Sequence, residues 1–263
     1  MKRVSRKNNS SVGISAIFLV TGVFLLVYSM IAGMQIAAFI GLGLTFWGAV
    51  FAVARNRKAV DSRLLDGTAV SSYSTLDRMI NDLNYNGQGY YIPAYPQDVP
   101  IPEYLTNLKE PVVFISEQFD GKPAVEELAS GKFLSEKTHS IFITAPGSGL
   151  MAQMERQLHL DFSKTNLEEL CYILPRCVTG GLNLAKSVDL KAMDTGANFR
   201  AIGILYESLY NSERPLKSVH ILGCPLVSAV ACALAKTTGK TVIIKEQTVL
   251  PHGSGVSVVF GFV

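Results

Sequence analysis

No acidic residue occurs in the first 60 positions, and from Asn8 to Ala54 no side chain carries a charge of either sign. Such a stretch is excluded as a solvated tail, because unpaired apolar surface of that length has no water-facing side chains to keep it in solution. Within it lie two apolar runs, Val12 to Ile31 and Gln35 to Ala54, separated by Ala32-Gly33-Met34. Each has the roughly 20 residues a helix needs to cross about 30 Å of hydrocarbon, so the pattern predicts a two-helix transmembrane hairpin. Lys2, Arg3, Arg6 and Lys7 precede the pair, and Arg55, Arg57, Lys58 and Arg63 follow it. The bias of cations toward the cytoplasm puts both termini there, in a cell membrane crossed twice. A cleaved secretory signal is excluded, since a second span follows the first directly.

Four cysteines are few and their spacing is uninformative: Cys171, Cys177, Cys224 and Cys232 form no C-x-x-C pair and no zinc set with His139, His159, His220 or His252. Disulfides and a metal centre are therefore not expected. A basic stripe is also missing. Up to Arg63 there are eight basic residues and one acid, whereas the remainder holds 16 basic and 20 acidic residues, so the overall charge of +3 conceals a net negative globular part. That distribution disfavours nucleic acid as a partner and favours the bilayer, with anionic inner-leaflet lipids at the basic ends of the hairpin. No cofactor motif is present. Gly239-Lys-Thr241 ends like a phosphate loop, but Leu234 stands where the first glycine is required, and the chain there runs from helix into strand.

Small residues recur at intervals of four on the second run, Gly33, Ala37, Gly41, Thr45 and Ala49. They line one helical face and suit close backbone approach, either to the first helix or across a homo-oligomer seam. Trp47, the one tryptophan, lies inside this run.

The organisation predicted is a basic cytoplasmic tail over residues 1–11, the hairpin over 12–54, a juxtamembrane region over 55–110 and a cytoplasmic domain over 111–263. In the third part Asn56 to about Ser74 reads as a polar tether. Ser74 then caps a short amphipathic helix to about Asn84, with Asp77 at the third position and Leu76, Met79, Ile80 and Leu83 as its apolar stripe. From Asn84 to Tyr104 there are four prolines and five tyrosines, which predicts a polyproline-like strap or an edge strand.

In the domain, 111–116 and 139–144 read as strands, 122–130 as a turn and short helix, 150–160 as a helix, and 166–186 as a helix capped by Asn166 and kinked at Pro175 and Gly180-Gly181. A hairpin over 188–205 follows. Ser218 to Leu222 reads as a strand leading to Gly223-Cys-Pro225 and an apolar helix, 226–236. The C-terminal hairpin comprises 240–250 and 256–263. The fold class expected is α+β, or mixed α/β, with a mixed sheet.

Candidate chemistry is sparse. Thr144-Ala-Pro-Gly-Ser-Gly-Leu150 has strand, glycine turn and helix in the order that offers free amides to an anion, which makes Gly147, Ser148 and Gly149 a candidate ligand site; the competing reading is that the glycines serve a tight turn and close packing. Cys224 sits at the N-cap of an apolar helix, where the dipole favours a thiolate, and His220 lies four residues upstream on the expected strand. Small-residue packing of the helix is the competing role for this cysteine.

The combination of the N-terminal hairpin, Gly87-x-Gly89-Tyr-Tyr-Ile-Pro93, Pro146-Gly-Ser-Gly149, and Gly223-Cys-Pro225 followed by Gly239-Lys-Thr-Val resembles uncharacterised archaeal membrane proteins that carry a two-helix hairpin and a soluble α+β domain. The resemblance implies that architecture and brings no activity or site with it.

Taken together the sequence favours a membrane-anchored binding, scaffolding or sensor domain. A membrane-tethered thiol enzyme, with Cys224 as nucleophile and His220 or His252 as base, is the alternative. A transporter is disfavoured, because neither run holds an intramembrane charge.

Overall fold

The computed structural model describes residues 9–54, 62–85, 87–94, 109–116, 133–135, 140–210, 215–251 and 254–263. The chain forms two compact units, Met1–Val60 and Asp61–Val263.

The first unit is a helical hairpin, α1 (Asn9–Ala32) and α2 (Gln35–Ala54). Gly33 turns the chain with φ +65°, a left-handed conformation that glycine adopts without strain. The two helices touch through backbone. A Cβ on Gly22 would stand 2.6 Å from the Thr45 amide nitrogen, one on Gly41 2.9 Å from that of Leu26, and one on Gly48 2.9 Å from that of Leu19. The expected small-residue face is thus used inside the hairpin by Gly41 and Thr45, with Ala37 half-buried. Gly33 forms the turn and Ala49 faces outward, its place in the seam taken by Gly48. The stripe follows the 3.6-residue helix period, which carries the seam from 45 to 48 and not to 49. The outer surface is apolar: Val20, Phe24, Met30, Ile36, Phe39 and Trp47 are each more than half exposed.

The second unit begins with a helix where a tether was expected. α3 spans Ser62–Asp82, and Thr68, Ser71, Ser72, Ser74 and Thr75 each donate to a carbonyl three or four residues earlier. These hydroxyls read as loop formers in a sequence, yet in a helix they are satisfied by its own backbone. α3 is fastened to the unit at both ends. The Ser208 hydroxyl donates to Asp66, and the Ser218 amide donates to Asp77 Oδ1 at 2.8 Å while its hydroxyl donates to the Tyr73 carbonyl. Ser74, expected as the N-cap of a helix starting there, lies inside α3, and Asp77, expected at the third position of that helix, accepts from the first turn of another helix in space.

Among the described residues eight strands form one sheet: β1 (Gln88–Ile92), β2 (Val112–Ser116), β3 (Leu134–Ser135), β4 (Ser140–Thr144), β5 (Ser187–Met193), β6 (Gly196–Ile202), β7 (Val242–Val249) and β8 (Gly255–Phe262). Their order is β3-β4-β2-β1-β7-β8-β6-β5. Every pairing among the described residues is antiparallel, so the α+β class holds and these strands form an antiparallel sheet where a mixed one was expected. Parallel pairing needs a crossover between neighbours, whereas β5–β6 and β7–β8 are hairpins and β1 returns directly against β2. The first half of the tyrosine and proline segment is neither strap nor edge. β1 is proline-free and lies between β2 and β7; residues 95–104 of the segment lie outside the described ones, as does the helix expected at 122–130.

Helices α4 (Ser148–Leu158), α5 (Leu167–Arg176), α6 (Lys217–Leu222) and α7 (Pro225–Thr238) complete the unit. Asn166 caps α5 by accepting from the Glu169 amide, and the turn Cys177–Gly181 follows Pro175. Residues 218–222 form α6, not a strand, because Asp77 supplies the N-terminal cap that Leu216 has no side chain to provide. α7 is buried along its length, from Leu226 to Lys236, and Gly239 ends it in the left-handed region. Lys217–Thr238 is long and apolar enough by composition to cross a membrane, but its apolar window is 89% buried and Gly223 breaks it in two. It is the core of the unit. The apolar stretches Ile17–Ala32 and Gln35–Phe51 are shorter.

Candidate functional site

α4 starts at the expected glycine turn, and the turn is mostly engaged in holding the fold. The Gly147 amide donates to Ser228 Oγ at 2.9 Å, and the Ser148 amide donates to the Ala145 carbonyl. A Cβ on Gly147 would lie 2.0 Å from the Ala229 nitrogen, so glycine is what lets the turn press on the α7 backbone. Gly149 meets no such constraint. Ser148 and Gly149 border a cavity of about 610 Å³, whose wall also includes Arg156, His159, Glu155, Asp161 and Lys236.

Lys236 is the group that reading the sequence missed. It lies in the last turn of α7, where a cation suits the helix dipole. Its ammonium donates to Glu155 Oε1 on α4 at 2.7 Å and to Asp161 Oδ1 at 2.9 Å; the Lys236 side chain is only 6% exposed. Glu155 Oε1 also accepts from the Phe162 amide, and Asp161 Oδ1 accepts from the amide and hydroxyl of Ser163. Burial raises the Asp161 carboxyl, and the hydrogen bonds from Lys236 and Ser163 outweigh it, bringing the pKa to about 2. Burial lowers the Lys236 ammonium, and its bonds to Glu155 and Asp161 outweigh that in the other direction. A single cation ending an otherwise apolar helix is the signal that pointed to it, since Lys is seldom buried without a partner.

The second candidate, Cys224, is the N-cap of α7 with Pro225 at the first helical position, as expected. Its chemistry differs. Burial pushes the thiol up by more than bonding to Tyr210 and to the Val227 and Leu226 amides lowers it, so the helix end does not yield a thiolate. The Cys224 amide donates to the Tyr210 hydroxyl at 3.1 Å. His220 is exposed on α6, and Gly223, with φ +66°, separates that helix from Cys224. His252 lies outside the described residues. Tyr73, Tyr91, Tyr206 and Tyr210 surround the thiol; burial raises all four phenols, that of Tyr206 to about 12. The thiol and the four phenols are thus all neutral near physiological pH. Cys171, half-buried, is the most accessible of the four thiols. A small maleimide at neutral pH is expected to label Cys171 first; faster labelling of Cys224 would restore it as a candidate nucleophile.

A second hollow, of about 680 Å³, follows α3, with its far wall made by the β4–α4 turn, Tyr206 and Pro225. Among the described residues no group of three His, Cys, Asp or Glu side chains is placed to hold a metal ion. No protein-family model matches the chain, and no curated protein or solved structure is significantly similar to it.

Proposed function

We propose that the chain is a membrane-anchored binding domain, with α1 and α2 crossing the bilayer, both termini in the cytoplasm and the unit from Asp61 onward acting at the inner leaflet. The observation that carries this reading is the outer surface of the hairpin. Large apolar side chains are exposed around both helices, and every cation near them lies beyond their ends. Water would leave that surface uncovered, whereas lipid covers it at no cost in charge burial. Arg55, Arg57, Lys58 and Arg63 then fall where anionic headgroups sit, each contributing about 1 kcal/mol of attraction. A binding role is supported by two hollows in the size range of small-ligand sites.

The topology is tested with two single cysteines added to the full chain and probed by an impermeant maleimide. Met34→Cys, in the turn between the helices, is expected to react in intact cells. Asp194→Cys, exposed at the β5–β6 turn, is expected to exceed the parent's labelling only after permeabilisation. Reaction of Asp194→Cys in intact cells, or release of the chain from membranes by alkaline carbonate, overturns the reading.

A further inference from the structure

The cavity beside α4 follows one face of that helix, past Ser148, Ala152, Glu155 and His159, and is bordered by Lys236 together with both of its carboxylate partners. An ammonium has three N–H groups, and two are taken here, one by Glu155 Oε1 and one by Asp161 Oδ1. Among the described residues the third meets no acceptor, although the side chain is only 6% exposed. The acids are half used in the same way. Every bond they accept falls on Glu155 Oε1 or Asp161 Oδ1, and among the described residues Oε2 and Oδ2 accept from no protein group. The unused capacity is therefore one donor and two acceptors, interleaved on one ion-paired cluster. An anion brought to the donor would stand against Oε2 and Oδ2, and a cation brought to those oxygens would stand against the Lys236 ammonium. A hydroxyl avoids both. It accepts and donates at a single atom, as water does, so it takes a water's place with the hydrogen bonds kept. Among the described lining residues Lys109, Arg156 and Lys236 also balance Glu110, Glu155 and Asp161, which draws in no ion of one sign. Ala94, Pro111, Met151 and Leu160 give the wall an apolar part for ring carbons, and about 610 Å³ is a small-ligand volume.

We infer that the cavity beside α4 binds an uncharged polyhydroxyl ring, a sugar, with neighbouring hydroxyls on Lys236, Glu155 and Asp161. The inference rests on the reading of this protein as a binding domain and names the ligand class of that domain. The ring belongs either to a free monosaccharide or to the headgroup of a glycolipid; the pair of adjacent hydroxyls is common to both.

The test uses the full chain in phosphatidylcholine nanodiscs, with empty discs as blank, and saturation-transfer difference NMR. The probes are three neutral sugars, D-glucose, D-galactose and D-mannose, beside a zwitterion, L-glutamine, an anion, succinate, and a cation, choline. At least one sugar is expected to receive more saturation than any charged probe. Ala152→Leu puts bulk into the cavity from α4 and leaves the ion pairs in place, so it is expected to weaken that sugar's binding about tenfold, a difference of about 1.4 kcal/mol. Gln153→Leu, exposed on the same helix and outside the cavity, should leave binding unchanged. Gly149→Leu, at a cavity position where an added Cβ meets nothing within 4 Å, replaces Ala152→Leu should that variant lose its fold. The diacylglycerol glycoside of the same sugar, built into the disc, separates the sources: a headgroup site releases the free sugar, and a site for free solute keeps it. Equal or greater saturation of a charged probe, lost in the blocking variants, overturns the inference and leaves the unit a binding domain. A sugar signal that both blocking variants leave intact overturns it as well. No transfer to any probe overturns it and removes this cavity from the support for a binding role, while the anchor is judged by the maleimide labelling alone.

Discussion

Gly147→Ala is expected to destabilise the domain by about 3 kcal/mol or more, among the larger effects any single methyl group can have. The added carbon would stand 2.0 Å from the Ala229 nitrogen and 2.5 Å from the Ser228 carbonyl carbon. Both are backbone atoms of the buried helix α7, so no side chain can swing aside; either the β4–α4 turn or the helix must move. Movement of the turn also stretches the bond from the Gly147 amide to Ser228 Oγ, leaving two buried polar groups short of a partner. Gly149→Ala is the matched control. It meets nothing within 4 Å and lies in the first turn of α4, where alanine is the better helix former, so it is expected to be neutral or to stabilise by about 0.5 kcal/mol. The measurement is thermal unfolding of the full chain in mild detergent, followed by tyrosine near-ultraviolet circular dichroism. Trp47, the only tryptophan, is in α2, so indole fluorescence reports on the hairpin and not on this unit. At about 2–4 °C per kcal/mol for a unit of this size, Gly147→Ala should lower the midpoint by roughly 6–12 °C. Midpoints within a degree or two of each other for the two variants would show that the turn is not pressed against α7.

Lys236→Met keeps most of the stem volume and removes the charge. Glu155 and Asp161 are then two half-buried carboxylates with no cation between them, 17% and 29% exposed. Breaking a fully buried pair costs about 3–5 kcal/mol, and partial exposure here brings the expected loss to about 2 kcal/mol at neutral pH. The pH dependence separates this cause from lost packing. Asp161 has a folded pKa of about 2 against an ordinary 3.8, so its contribution is present above 3.8 and is lost as the pH falls through 2. After discounting for solvent screening, that contribution is about 1–2 kcal/mol. Lys236 behaves in the opposite sense. Its folded pKa is raised above 10.5, so its share is complete below 10.5 and disappears as the pH climbs through the folded value. The stability gap between the parent and Lys236→Met, read from the same melts, should therefore be widest near neutrality and close toward pH 2. A gap of equal size at pH 7 and pH 2 would assign the loss to packing alone.

Much of this architecture was legible in the order of residues. The hairpins at 188–205 and 240–263, the buried strands beginning near Pro111 and His139, the Asn166 cap and the Cys224-Pro225 start of α7 all follow from local rules, and their partners lie close in the chain. What was not legible depends on partners far away. Ser62 to Ser74 is rich in hydroxyls and reads as a tether, but packing against α6 and the turn at Glu207–Leu209 holds it helical. Ser218 to Leu222 reads as a strand, and it lies in the helix Lys217–Leu222 because Asp77, some 140 residues earlier, provides its cap. At the candidate sites, Ser148 and Gly149 do border a cavity, whereas Cys224 has tyrosines for neighbours where an imidazole was expected. Lys236 was passed over because its two carboxylates come from a different helix and from the loop beyond it. Its isolation on an apolar helix was the one local clue.

The place of β1 has a consequence for how the chain is made. Five residues, Gln88 to Ile92, join the two halves of the sheet, and their register on the far side is with Val242 and Ile243. That partner is synthesised some 150 residues later, which at 5–20 residues per second means a delay of roughly 8–30 s on the ribosome. β2 can zip onto one flank of β1 early, and the other flank stays open until the C-terminal hairpin emerges. For that interval the nascent polypeptide presents a bare, tyrosine-bearing β-edge, the kind of surface that invites a wrong neighbour and that a holding chaperone would shield.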